Sequence, residues 1–286
     1  MSHTLHSPSA GRCPTHPAPI PARWTAFVLA GQRPGVDPVA SHFGVDSKAL
    51  VRVRGEAMLS RVVRSLLNSP GIGRVLILSQ NVEEQMADPD LTWLRGNTKV
   101  VPCVSGKTIS GSVRVATARH DIQWPVLVTT ADNVLLTPAI VSEFQAAIGA
   151  HDVSVGLVER ARLEAACGAS ERTWLRFRDG AFTGANLFAL HVPAVENLLR
   201  FWETVEQDRK SLLRLAARFG PMLLMRMATR SLTLEAALAA AGQRLGVSVR
   251  PILLSDGRIG VDVDKPKDHA LVEMLMDRQG SLLPLE

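Results

Sequence analysis

The chain has 286 residues, 46% of them hydrophobic, enough to bury one large core or two small ones. Its net charge of +5 allows an acidic partner, but tyrosine is absent, aromatics are only 5%, and no basic stripe interleaves with them, which argues against nucleic acid. Three distant cysteines (Cys13, Cys103, Cys167) and eight histidines without HExxH or HxH spacing argue against a disulfide framework, a zinc site and histidine-built metal chemistry.

Residues 1–23 are rich in proline, histidine and small residues, with no acid and no apolar signal-peptide core. They predict a disordered tail. No uncharged apolar stretch reaches membrane-spanning length, so the expected location is the cytoplasm. Residues 24–286 predict one domain with a helical insertion at about 193–242.

In chain order, TAFVLA (25–30) predicts a strand and EAMLSRVVRSLLNS (56–69) an amphipathic helix. Strands follow at 74–79 and 98–103, a helix at 111–120, a strand at 125–131, and a helix at 137–148 with Thr137 as cap and Pro138 in its first position. Strands at 153–160, 173–180 and 185–190 precede a long helical stretch. The chain then returns to strand at 246–254 and 258–264 and ends in a helix from Pro266. Continuous apolar strands alternating with helices predict an α/β fold with a mostly parallel, Rossmann-like sheet covered on both faces.

Ligands of such sheets collect at the carboxyl ends of the strands. The first strand ends in a loop with Gly31, Arg33 and Gly35, and Lys48 follows further on. Glycine-rich backbone with Arg and Lys suits phosphate, although an ordinary βα turn uses the same residues. GxGxxG is absent, and SGKTISGS (105–112) lacks the first glycine of a Walker loop. PVLVTTADN drives into Asp132 and Asn133, and a carboxylate there suits Mg²⁺, the alternative being a plain turn. In GVDVDKPKDHALVE (260–273), Asp262 and Asp264 would share one side of a strand and Val261 and Val263 the other. A solvated edge strand would explain them too. Asp132 with Asp262 or Asp264, facing a basic glycine loop, makes a metal–triphosphate site.

LAG with its later arginine and lysine, TADNVLLTP, GANLFAL and VDVDKPKDHALVE resemble the MobA-like nucleotidyltransferases, which have a glycosyltransferase-A-like fold. The likeness covers about residues 24–160 and 180–278. It implies a Mg²⁺-dependent enzyme that moves a nucleotidyl group from an NTP to an anionic phosphorylated acceptor, releasing pyrophosphate. It places Ala30, Gly31, Arg33 and Lys48 at the triphosphate, Ser112 near the base, Asn186 near ribose or acceptor, Asp132 at the first metal position, and Asp262 or Asp264 at the second. The catalytic set would be Arg33, Lys48 and Asp132. Two departures stand out: GQRPGVD replaces the usual GGxGxRM, and Ser47 stands where a proline usually precedes the lysine. A nucleotide-sensing protein and a nucleotide-sugar-dependent glycosyltransferase are the competing readings. The stretch 209–230, with Arg209, Lys210, Arg214, Arg218, Arg226 and Arg230 and no acid, reads as a solvated insertion or as an amphipathic lid for an anionic acceptor. The same features would serve peripheral membrane contact or a homodimer.

Overall fold

The computed structural model describes residues 23–32, 35–106, 108–119, 122–169, 172–191, 198–200, 202–203 and 220–280. Residues 1–22 of the expected tail and 209–219 of the basic stretch 209–230 therefore lie outside the described residues, as does Arg33.

The strands are β1 (Trp24–Leu29), β2 (Arg52–Val53), β3 (Glu56–Ala57), β4 (Ile72–Ser79), β5 (Val100–Val104), β6 (Val126–Thr130), β7 (Val153–Glu159), β8 (Leu175–Phe177), β9 (Gly180–Leu190) and β10 (Val249–Leu253). The described residues form an eight-stranded sheet in the order β10-β7-β9-β6-β1-β4-β5, with β8 on β9, and a separate β2–β3 hairpin. Pairings of β1 with β4 and β6, of β4 with β5 and of β10 with β7 are parallel. The long β9 runs antiparallel between β6 and β7. This is the mostly parallel α/β sheet that the strand–helix alternation predicts.

Helices cover both faces. Helix Met58–Leu67 buries Met58, Leu59, Val62, Val63 and Leu66, a 3.6-period stripe, and helix Pro138–Ala147 lies on the same side. Thr137 caps the latter by accepting from the Ile140 N–H at 3.3 Å. On the other face, Val113 and Ala116 of helix Ile109–Thr117 pack with Phe27, Leu76, Val126 and Val128.

Three expectations need correction. The segment 258–264 is not a strand: Gly257–Gly260 forms a 3-10 turn, and residues 261–263 run without strand pairing. The alternation survives because Val261 and Val263 are fully buried in an apolar cluster with Val39, Val51, Val134, Leu135 and Val272, while the aspartates face away. Packing against side chains, not a sheet ladder, fixes this segment. The loop after β1 is not wholly irregular, since Asp37 accepts from the Val39 and Ala40 amides and starts helix Pro38–Phe43. The insertion shows helix Pro221–Ala228 and helix Leu234–Leu245, divided where Thr233 caps the second. The first begins right after Gly220, whose φ of +77° is one that glycine adopts without strain. No helix among the described residues is long and apolar enough to cross a membrane.

The turn before the aspartates is held by close backbone contact. A Cβ on Gly257 would lie 2.1 Å from the carbonyl oxygen of Arg162, at the helix Arg160–Cys167. Gly257→Ala is expected to destabilise the chain by roughly 1–3 kcal/mol through overpacking. Gly96→Ala, where a Cβ meets nothing within 4 Å, is expected to leave stability nearly unchanged. Thermal unfolding of both variants checks the contrast.

Candidate active site

β1 has β4 on one side and β6 on the other, so the crevice at their carboxyl ends is a topological switch point. Leu29, the last residue of β1, is in register with Thr130, the last of β6. Ala30, Gly31 and Asp132 thereby emerge side by side. A Cβ on Gly31 would approach Gln80 Oε1 to 2.6 Å, and that oxygen accepts the Gln32 N–H at 3.0 Å. Glycine here leaves room for the Gln80 amide against the loop backbone. Gln80 Nε2 donates to the Gly106 carbonyl at 3.1 Å, joining the loops that follow β4 and β5.

Lys48 opens a 3-10 turn, Lys48–Leu50, and points into the crevice. Its Nζ donates to Asp132 Oδ2 at 2.5 Å and to Asp264 Oδ1 at 2.7 Å. Ser47 has φ of −138°, far from the −65° or so that a proline ring imposes, so this backbone excludes proline before the lysine. Asp132, Asp262 and Asp264 each bring one carboxylate oxygen within 4.8 Å of the others, and among the described residues they form the one such acidic group. All are oxygen ligands, which fits a hard cation such as Mg²⁺.

The three carboxylates differ in their surroundings. Burial pushes the Asp132 carboxyl above its ordinary range, with the Lys48 charge and the Thr130 hydroxyl pulling it back. Burial also acts to lower Lys48, but Asp132 and Asp264 outweigh it and hold the ammonium above its ordinary value. Asp262 is bound on both oxygens: Arg172 Nη1 donates to Oδ1, and Asn186 Nδ2 donates to Oδ2 at 3.0 Å. Arg172 Nη2 also donates to the Asp262 carbonyl at 3.0 Å. Asp264 is exposed and stands before helix Pro266–Gly280, where Asp268 accepts its N–H at 3.2 Å and that of Lys265 at 2.8 Å.

Asn186 reaches Asp262 because β9 bulges. The β7–β9 register shifts between Val155 and Leu157, and Asn186 takes φ of +47°, a conformation asparagine tolerates better than most residues. Buried Asn133 supports the bulge by donating to the Ala185 carbonyl at 2.9 Å and to Thr129 Oγ1 at 3.1 Å. The sequence reading treated Asn133 only as a turn former, and it missed Arg172, Thr130, Gln80 and Gln85 altogether. One arginine among many carries no local signal. Ser112 stands apart from the carboxylates, buried on its helix, its hydroxyl donating to Thr108 O at 2.7 Å beneath the loop after β5.

A glycine loop and a carboxylate cluster at the switch point of an open, mostly parallel sheet mark the place where α/β proteins of this class bind their ligands. Over residues 26–244 the chain matches the MobA-like NTP transferase domain, and it belongs to that family. Among curated relatives, 2-C-methyl-D-erythritol 4-phosphate cytidylyltransferase of Saccharopolyspora erythraea is 34% identical over 105 residues, 35% of this chain and 46% of that protein. The counterpart from Rhodococcus opacus is 34% identical over 95 residues, 33% of this chain and 40% of that protein. The chain thus spans less than half the length of the curated relatives it matches. A solved structure of a hypothetical transferase from Thermus thermophilus aligns with a TM-score of 0.71 at 29% identity, covering 86% of this chain and 99% of that one. The 4-diphosphocytidyl-2C-methyl-D-erythritol synthase of Anaerococcus prevotii shares the fold at a TM-score of 0.57 and 7% identity, covering 90% and 97%.

Two outcomes follow from the charge balance. Arg172→Ala leaves a half-buried Asp262 charge short of its strongest donor and is expected to cost about 1–3 kcal/mol in urea unfolding. Adding Asp262→Asn should recover much of that loss, because the charge needing compensation is gone. Lys48 has a raised folded-state pKa, so its contribution is complete below the ordinary value of 10.5 and is lost as pH rises through the higher folded value. Lys48→Met should therefore be less stable than wild type at neutral pH, with the gap narrowing in alkaline unfolding series.

Proposed function

We propose that this chain is a Mg²⁺-dependent nucleotidyltransferase that moves an NMP group from an NTP to a phosphorylated small-molecule acceptor and releases pyrophosphate. The observation that carries the reading is the convergence of Lys48 and three aspartates at the crevice between β1 and β6, in a chain of the MobA-like family. The names of the curated relatives make CTP and a polyol phosphate the first pair to test.

In this reading the backbone of Ala30 and Gly31, with Arg33, cradles the triphosphate. Asp132 and Asp264 would hold a Mg²⁺ ion, since both face the single Lys48 ammonium, whereas Asp262 is paired with its own guanidinium, Arg172, and with Asn186. Bound there, the ion would neutralise phosphate charge and make the α-phosphorus more electrophilic. Asp262 instead orients Asn186 toward the ribose or acceptor. An acceptor phosphate oxygen attacks the α-phosphorus, the O–Pα bond forms, the bond to the bridging oxygen breaks, and pyrophosphate leaves. The nucleophile is already an anion, so no side chain has to remove a proton. Lys48 supplies its ammonium to the charge that develops on the phosphates. Ser112 acts indirectly, by shaping the loop beneath the base.

Pyrophosphate release is the test, with each NTP crossed against phosphorylated polyols, sugars and pterins. Asp132→Asn is expected to abolish turnover while retaining the fold, because an amide is a poor ligand for a hard cation. Lys48→Ala should lower kcat by roughly 10²–10³-fold, the size of one lost electrostatic stabiliser. Full activity of Asp132→Asn at low Mg²⁺ would overturn the assignment. NTP-dependent stabilisation with no turnover on any acceptor would favour a sensor. Tight binding of a nucleotide-sugar instead of a free NTP would favour a glycosyltransferase.

A further inference from the structure

We infer that Gln85 and Ser47 form a buried clamp that closes the neck of the loop between Gly31 and Asp46 and so sets where Lys48 presents its ammonium group. Gln85 ends the short helix Val82–Gln85 after β4 and is 3% exposed, and Ser47 is 5% exposed. A single nitrogen, Gln85 Nε2, donates to the Ala30 carbonyl at 3.0 Å and to Ser47 Oγ at 2.7 Å. Ala30 enters the loop and Ser47 leaves it, so one amide joins the two ends. Gln85 Oε1 is buried with no hydrogen-bond partner among the described residues. An unsatisfied buried oxygen is costly, and an apolar side chain of similar size would avoid it. What the glutamine supplies in return is the pair of donated bonds across the neck.

The neck is tied again further out, where Gln32 Nε2 donates to the Asp46 carbonyl at 2.6 Å. Below it, the Leu50 N–H donates to the Ser47 carbonyl at 2.9 Å and starts the turn that carries Lys48. Ser47 is therefore held by its side chain on one side and its backbone on the other. A shift of Ser47 by an ångström would carry Lys48 Nζ away from contacts of 2.5 and 2.7 Å. The side-chain hydrogen bonds of Ser47 and Gln85 go to the Ala30 carbonyl and to each other. They act through Lys48 and are positioning residues.

The catalytic consequence rests on the proposed transferase reading, but the placement of Lys48 can be measured without it. Reductive methylation of the intact chain, read by peptide mass spectrometry, gives the rate at Lys48 relative to exposed Lys99. In wild type and in Ser47→Thr, which keeps the hydroxyl, Lys48 is expected to react slowly. In Ser47→Ala and Gln85→Leu it should react roughly fivefold faster, the factor one net buried hydrogen bond carries. The same variants should lower kcat for pyrophosphate release, with Ser47→Thr restoring it. Unchanged Lys48 reactivity in Ser47→Ala would overturn the inference, as would an acceleration that Ser47→Thr fails to reverse. Should Gln85→Leu not fold, the Ala and Thr variants at Ser47 decide alone. If no chain turns over any NTP while the reactivity pattern holds, the transferase reading fails and the clamp stands.

Discussion

The Lys48 ammonium between Asp132 and Asp264 is the interaction on which the site depends. Three carboxylates converge so that one oxygen from each lies within 4.8 Å of the others. At an effective dielectric of about 20, two such charges repel by roughly 3 kcal/mol. That is a large part of the stability of an ordinary domain, so the cluster persists only with positive charge inside it. Lys48 supplies it toward Asp132 and Asp264, and Arg172 toward Asp262. The same positive charge that stabilises the fold is what a triphosphate would meet. In the proposed reading, folding and ligand binding would draw on one electrostatic arrangement.

Each charge is placed by an apolar neighbour on its own segment. Val51 follows Lys48, Val134 and Leu135 follow Asp132, and Val261 and Val263 flank Asp262. These five side chains meet in one buried cluster beneath the site. Fully burying each contributes about 1.5–3 kcal/mol, enough to hold three short segments that make little regular secondary structure. The aspartates and the lysine are thus presented on a shared hydrophobic base. The bulge in β9, propped by Asn133, adds Asn186 from a fourth direction.

The crevice itself belongs to the sheet. Parallel strands bring the ends of β1 and β6 level, and the reversal of strand order at β1 opens a crevice there. Gln80 and Gln85 brace the loop after β1 that forms one wall, through the Gln32 N–H and the Ala30 carbonyl.

Local pattern determined much of this protein. Apolar runs and helical periodicity were enough to read most of the long strands and helices, the α/β class and the candidates Gly31, Lys48, Asp132, Asp262 and Asp264, because each signal lies within a few consecutive residues; the β2–β3 hairpin and the short helices were not read. Alternation also separated the valines of 261 and 263 from the aspartates, although it suggested a strand where the backbone only packs. The position of β9 between β6 and β7, the bulge at Asn186, and the partnership of Arg172 with Asp262 came only from tertiary structure. So did the different surroundings of Asp262, paired with Arg172 and Asn186, and Asp264, paired with Lys48. Arg172 and Asp262 are 90 residues apart, and Lys48 and Asp264 are 216 apart. A charge pair has no periodicity, so nothing along the chain marks which of 32 basic residues will meet which acid. That choice is made when the sheet closes its order and carries the segments to one crevice.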